Sequence, residues 1–492
     1  MILPAGARTT IAVHCLKFAL RHCRNALILL ILVGNASGNE KGIINPVTDT
    51  AHNPFCVATH FPRTSRGWDV DNILPLLTSL GVSMVRDEIS WHRTERVRGV
   101  YAIDDVDNAW FQAVTSRGIK VIVVLSYGNK LYENPLNPDA FSRYASFLAR
   151  TLKGKGVAAY EIWNEPNNFG FRKKYGGSWN GRGNPLWLKK FAELVKKASE
   201  SIRRVDPDTP IITSAGSLPA THYLIRNFPT SLNDIDGITV HPYSFGNKPE
   251  FVPYGSVATR IRDGIAVADP DKTLTSVFRR LRETSEKHLG RALGIWVTEY
   301  GYTTYTPRGK IRSLHKSVSE TDQARYLVRA TILALAQDVK SWCIYDFMDD
   351  GIDVKHPERN FGLVRNARLR YEVKPSFIAL FRLYHLLGES WNIPFEKKPG
   401  PQLPWNMNTN NPPGVYLFPF SRFSSGDTAA LWAVNDVERV HLQCKSASQC
   451  RPLKVTDILT GRSTTVRPDS KNDSTTQAAL VIDSNPTLLT HE

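Results

Sequence analysis

From residue 54 to the late 380s the chain alternates short apolar runs with longer amphipathic stretches. The runs are PFCVATHF (54–61), VSMVRDEISW (82–91), KVIVVLSYGN (120–129), AAYEIWNEPN (158–167), PIITSAGS (210–217), DGITVHPYSF (236–245), GIWVTEYGYTT (294–304) and SWCIYDFMDDG (341–351). Each carries apolar residues, many of them β-branched or aromatic, in its first half and polar ones in its second, as buried strands do. Between them the pattern predicts helices over residues 69–80, 104–117, 138–152, 186–205, 273–289, 320–337 and 375–387. Gly81, Gly118, Gly154 and Gly290 supply the stop signals. Eight such units in residues 54–388 predict a (β/α)8 TIM barrel.

Beyond residue 388 the texture changes. A Pro/Asn-rich segment, KKPGPQLPWNMNTNNPPG, is followed by the strand-like runs VYLFPFSR, TAALWAVN, RVHLQC, LKVTDILT and AALVID. Short strands separated by turn residues predict an all-β, sandwich-like domain over residues 389–492.

The N-terminus has another pattern. Basic residues run through Arg24, an apolar run follows (ALILLILV, 26–33), and then the small residues GNASGN. This is the layout of a secretory signal peptide over residues 1–38, with residues 39–53 as a linker. The apolar run falls short of the ~20 residues a membrane span takes, so no stable span is expected. An uncleaved anchor that also uses residues 11–20 is the alternative. The expected location is secreted or periplasmic. Cys444 and Cys450, which bracket the polar loop KSASQ, are expected to form a disulfide there. Cys56 and Cys343 lie inside apolar runs and read as buried small hydrophobes.

The chain of 492 residues carries a net charge of +16, four of whose positive charges sit in the leader. Such an excess attracts anionic partners. No basic run interleaved with aromatics and no nucleic-acid-binding fingerprint accompanies it, so nucleic acid is not an expected partner. The charge reads as a diffuse basic surface on a monomer. No Cys/His cluster has metal spacing, and neither a metal nor a cofactor is expected.

In a barrel of this kind the polar residues at the C-terminal strand ends line one pocket. Two carboxylates stand there, Glu165 after YEIWN on the fourth run and Glu299 after GIWVT on the seventh. Burial is expected to raise the pKa of Glu165, making it a general acid/base, and an ionised Glu299 is expected to act as nucleophile. A separation of about 5–5.5 Å gives retention, and about 6.5–9.5 Å gives inversion.

On WNEPN (163–167) and WVTEYG (296–301) the chain resembles clan A glycoside hydrolases, whose acid/base and nucleophile are glutamates after strands four and seven of a (β/α)8 barrel. The combination of MVRDE, WNEPN, HPYS, WVTEYG, YDFMDDG, NFGLV and KPSF looks most like glycoside hydrolase family 39, in particular its bacterial exopolysaccharide-cleaving endoglycosidases, with family 5 second. The resemblance implies that Arg86 supports the nucleophile, that Asn164 binds the sugar 2-hydroxyl, and that His241 and Tyr243 line the reacting subsite. Trp91, Tyr127, Trp163 and Phe347 are strand-end aromatics expected to stack on sugar rings, and the insertion at 167–184 is a candidate subsite wall. The expected function is retaining, endo-acting hydrolysis of an extracellular or periplasmic polysaccharide. An exo-acting, xylosidase-like enzyme, a transglycosylase and a glycan-binding protein on the same barrel are the alternatives.

Overall fold

The computed structural model describes residues 53–254, 257–307, 313–387, 405–407, 414–420, 428–435, 437–444, 451–467 and 476–491. The expected leader and the Cys444–Cys450 pairing lie outside the described residues.

Eight parallel strands close into a barrel: β1 (Phe55–Ala58), β2 (Met84–Ser90), β3 (Lys120–Ser126), β4 (Val157–Ile162), β5 (Ile211–Thr213), β6 (Gly237–Val240), β7 (Gly294–Tyr300) and β8 (Ser341–Ile344), with β8 pairing back onto β1. Each lies within the run that predicts it except β4, which begins one residue earlier, at Val157. The helices Pro138–Leu152, Leu186–Val205 and Pro375–Leu387 match their predicted bounds, and others begin one residue later because the first residue is a cap. Asp69 and Asp104, for example, accept from Asp71 N and Asp107 N, satisfying amides the helix leaves free. A helix that the spacing does not announce, Leu218–Asn227, follows β5; it is short, carries a proline in its first turn and is capped by Ser217. Among the described residues no helix is long and apolar enough to cross a membrane.

Alternation along the strands sorts the barrel interior into layers. Cys56, Met84, Ile122, Ala159, Ile212, Trp296 and Cys343 form an apolar floor. Trp296 fits because Gly237 on the neighbouring strand has no side chain; a Cβ there would lie 2.4 Å from the indole. Two residues further along, the inward positions turn polar, with Arg86 on β2, Glu161 on β4 and Thr298 on β7. Apolar floor and polar rim together place the chemistry at the C-terminal strand ends. Cys56 and Cys343 correct the reading of them as simple buried hydrophobes: they are buried, but they are register partners on β1 and β8 and their sulfurs are bonded.

The C-terminal residues form antiparallel sheets. Strands β10 (Val415–Phe420), β11 (Thr428–Ala433), β16 (Thr487–His491), β13 (Leu453–Asp457) and β14 (Ser463–Val466) make one in that order, and β15 (Thr476–Ile482), β12 (Glu438–Cys444) and β9 (Trp405–Met407) the other. Leu431, Leu453 and Leu489 of the first share a core with Val440, Leu442 and Leu480 of the second, which makes the module a sandwich. Its attachment to the barrel includes a buried ion pair. Arg329 on the helix Glu320–Leu335 pairs with Glu250 at 2.6 Å, both fully buried, and Trp432 Nε1 of β11 donates to the same carboxylate at 2.8 Å.

Candidate active site

The acid at the end of β4 is presented by an unusual backbone. Trp163 and Glu165 both take positive φ, 67° and 43°, on either side of Asn164. This is costly for non-glycine residues and persists only where surrounding contacts enforce it. Here Trp163 N donates to Leu125 O at 3.1 Å, its indole donates to Phe169 O at 2.8 Å, and Glu165 O accepts from the amides of Asn168 and Phe169, each at 2.8 Å. Gly216 after β5 completes the fit, since a Cβ there would lie 1.9 Å from Asn167 Oδ1 and 3.1 Å from the Glu165 Cα.

On β7 the presentation differs. Val297 and Tyr300 pair with Trp342 and Ile344, so three steps on β7 are matched by two on β8. This bulge breaks the alternation that would send neighbours to opposite faces. Thr298 and Glu299 therefore both reach interior partners: Thr298 Oγ1 donates to Glu161 Oε1 at 3.2 Å, and Glu299 is bound by Arg86 and Tyr243.

Arg86 organises the floor of the pocket. Its Nη1 donates to Glu299 Oε1 at 2.8 Å, Nε to Glu161 Oε2 at 2.6 Å, and Nη2 to Asn164 Oδ1 at 3.0 Å. The hydroxyl of Tyr243 donates to Glu299 Oε2 at 2.9 Å. Asn164 Nδ2 donates to the Tyr127 hydroxyl at 3.1 Å. His241 Nδ1 lies 2.9 Å from Glu165 Oε1 and 3.5 Å from Glu299 Oε2. Atoms of Glu165, Glu299 and His241 lie within 4.8 Å of one another, so the two carboxylates have oxygens no further apart than that. Ligand spacing of this kind also suits a cation, but the guanidinium bonded to Glu299 already supplies the positive charge. The carboxylates differ in access: the Glu165 side chain is 21% exposed and that of Glu299 11%.

The electrostatics correct one expectation. Burial does push the Glu165 carboxyl up, but the hydrogen bond and charge of His241, with Asn168 Nδ2 on the other oxygen at 2.8 Å, outweigh it and hold the group below its ordinary value. Burial pushes His241 down, yet Glu299 and Glu165 on either side raise it overall. Proton and charge in this pocket thus belong to the His241–Glu165 pair. Burial, with Glu299 alongside, pushes the Tyr243 phenol well up, which keeps it a donor.

Arg86, Asn164, Glu165, His241, Tyr243, Glu299 and Tyr127 are thus joined in one hydrogen-bonded group. The remaining predicted aromatics are not pocket surfaces. Trp91 is fully buried among Tyr132, Phe141 and Tyr144. Phe347 is fully buried against Phe377. Trp163 is buried with its edge against Tyr127, so it braces that ring and presents no face to a sugar. Two exposed aromatics come from the 167–184 insertion: Phe169 is 48% exposed with its ring near Tyr127, and Trp179 is 44% exposed. Trp179 Nε1 donates to Asn168 Oδ1 at 2.7 Å, one hydrogen bond away from Glu165. Glu161 was not singled out by motif. Its signal is an acid two residues after Ala159 on the inward face of an apolar strand, where only a buried cation such as Arg86 makes it tolerable.

Comparison with known proteins bears on this geometry. Residues 48–350 match the profile of the family described as cellulase (glycosyl hydrolase family 5), which is more than half of the chain. Among solved structures, the chain is similar to a family 39 glycoside hydrolase from the gut symbiont Bacteroides cellulosilyticus WH2, with a TM-score of 0.67 at 20% identity over 90% of this chain and 82% of that one. It is also similar to a family 30 endoxylanase from Clostridium papyrosolvens C71, with a TM-score of 0.52 at 10% identity over 89% of this chain and 96% of that one. At these identities the likenesses speak for the fold. No curated protein matches the sequence.

Proposed function

The chain belongs to the cellulase family, glycosyl hydrolase family 5, within clan A, and from that premise we propose that this glycoside hydrolase works by retention, with Glu165 as acid/base and Glu299 as nucleophile. The observation that carries the reading is the approach of the two carboxylates, whose nearest oxygens lie within 4.8 Å of each other. That is the short spacing of double displacement, with no gap for a water between Glu299 and the sugar. In the first step Glu299 attacks the anomeric carbon while Glu165 gives its proton to the leaving oxygen. In the second, Glu165 takes a proton from water, whose oxygen displaces Glu299. Arg86 and Tyr243 hold both Glu299 oxygens, leaving one trajectory for attack.

The substrate we propose is a polysaccharide cut internally. Phe169 and Trp179 offer exposed aromatic faces beside Glu165, where the leaving part of a chain would lie, and a longer leaving group gains from both. An extracellular or periplasmic location is supported by the leader pattern and by the Cys56–Cys343 bond, which suits an oxidising compartment.

The test is a polysaccharide panel assayed with wild type, Glu165→Gln and Glu299→Gln. Proton NMR of the first-formed product should show the anomeric configuration of the substrate, and both variants should lose activity by orders of magnitude. An inverted first product, or full activity in both variants, overturns the mechanism. Release of monosaccharide alone from the outset overturns internal cleavage.

A further inference from the structure

Beneath the two carboxylates, a hydrogen-bonded path crosses the barrel from β4 through β7 to β6. Glu161, fully buried, accepts from Arg86 on both oxygens, Nε to Oε2 at 2.6 Å and Nη2 to Oε1 at 3.2 Å. Its Oε1 also lies 3.2 Å from Thr298 Oγ1. Thr298 Oγ1 is in turn 3.0 Å from His241 Nε2, and His241 Nδ1 is 2.9 Å from Glu165 Oε1.

Donor and acceptor rules leave one assignment along this path. An ionised carboxylate only accepts, so the single hydroxyl proton of Thr298 goes to Glu161. The Thr298 oxygen then faces His241 with a lone pair, and His241 Nε2 must carry a proton. A neutral imidazole has only one N–H, so Nδ1, the nitrogen facing Glu165, is then the lone-pair nitrogen.

We propose that Glu161, acting through Thr298, fixes His241 in its Nε2–H form, so that His241 Nδ1 and Glu165 share a single proton. Glu161 and Thr298 are positioning residues, and the proposal rests on Glu165 being the acid/base. The shared proton has two placements with the same total charge: a neutral carboxylic acid donating to a neutral imidazole, or a carboxylate accepting from an imidazolium. The first is the form that protonates a leaving oxygen. Once that proton has gone, with the glycosidic bond broken and Glu299 bonded to the anomeric carbon, the Glu165 carboxylate faces the bare Nδ1 lone pair. Their repulsion raises the basicity of Glu165 for the second step. A proton from the attacking water then restores the pair, and the water oxygen replaces Glu299 on the sugar. The opposite tautomer would forfeit this, because a neutral imidazole with its proton on Nδ1 would stabilise the carboxylate and weaken both acid and base.

The pair does not titrate in isolation. Among the described residues, Arg86 from β2, Tyr127 after β3, Glu161 on β4, Tyr243 after β6, Glu299 on β7, Tyr345 after β8, and His315 and Glu358 from the loops that follow β7 and β8 are charged or titratable groups around it. The test therefore reads the imidazole itself.

Full-length protein labelled with 15N in the rings of its 13 histidines is followed by NMR against pH, and the His241 signal is assigned with His241→Gln. Wild type should show Nε2 protonated throughout, with the titration confined to Nδ1. In Glu165→Gln that titration should fall by about one pH unit or more, since an opposite charge at this distance is lost. In Thr298→Val the neutral Nδ1–H form should appear, and Thr298→Ser should restore the wild-type pattern. A wild-type imidazole whose neutral form carries its proton on Nδ1 overturns the proposal, and so does a Thr298→Val spectrum identical to that of wild type. The wild-type spectrum decides the tautomer even if Thr298→Val does not fold. Activity separates the two levels: hydrolysis persisting in Glu165→Gln removes the acid/base assignment, whereas loss of hydrolysis with the wrong tautomer removes only the relay.

Discussion

Arg86 and Glu299 meet through a single nitrogen, Nη1 to Oε1 at 2.8 Å, while the rest of the guanidinium is spent on Glu161 and Asn164. The nucleophile is therefore held by a group that is itself clamped from behind. Replacing Arg86 by Met would leave Glu161 and Glu299 buried without their cation. Breaking a buried pair in this way costs about 3–5 kcal/mol. Urea unfolding should show that loss together with a fall in kcat. A variant as stable as wild type would mean that the cluster does not hold its charges as the geometry indicates.

The acid/base pair sets the pH profile. His241 is raised above its ordinary value of 6.5 and Glu165 is lowered below 4.5, so the last proton leaves the pair through the histidine, above pH 6.5. The falling alkaline limb of kcat/KM should accordingly lie above that pH. In His241→Gln the proton is held by the carboxyl alone, and the limb should move to lower pH. Steady-state rates across pH in the two proteins check this; an unmoved limb assigns it to another group.

The insertion after β4 should matter for long substrates. Trp179→Ala and Phe169→Ala each remove an exposed aromatic face, worth about 0.5–1.5 kcal/mol. The expected result is KM for polymer raised roughly 2–10-fold, at 1.4 kcal/mol per factor of ten, with little change in kcat. Equal KM values for wild type and both variants on a long polymer would place the leaving chain elsewhere.

Burial holds His222 down to about 3, helped by the charge of Arg280, and its Nδ1 is bonded to Thr284 Oγ1 at 2.9 Å. The unfolded chain takes up this proton below about pH 6.5 and the folded one does not until about 3. Stability from this residue is therefore complete at neutral pH and is lost as pH falls through that window, at about 1.4 kcal/mol per unit. His222→Gln should lack the term. Between pH 6.5 and 4.5 wild type should lose about 2 kcal/mol more than the variant in denaturant titrations.

The Cys56–Cys343 bond ties the first barrel strand to the last across 287 residues of sequence. Alkylation of the unfolded, unreduced protein should leave both residues unlabelled. The double alanine variant should unfold at lower denaturant, by about 2–5 kcal/mol. Labelling of both thiols without reductant would return them to the role of plain apolar side chains.

The barrel was legible because each strand announces itself twice, by a dense apolar run and by the polar residues that end it. Glu165 and Glu299 were legible for the same reason, standing at two of those ends. Glu161 was not: it sits within a strand, and its role depends on facing Arg86 across the barrel, a pairing set by register. The aromatics failed in the opposite sense. Trp91, Trp163 and Phe347 stand near strand ends, but whether a ring turns into the pocket or into the helical layer is decided by side-chain packing that spacing does not encode. The disulfide escaped because residues so far apart in sequence become neighbours only when the barrel closes.

The extra residue in β7 has a bearing on how this enzyme can change. Because Thr298 and Glu299 both face inward, two adjacent codons address the two carboxylates, one directly and one by way of His241. Substitutions at these positions should be read jointly: a replacement tolerated at 298 in one background need not be tolerated in another. Moving the strand by a single residue would exchange their roles. Variation in this lineage is then expected to concentrate in the insertion after β4, where the chain is free to change what it grips without disturbing how it cuts.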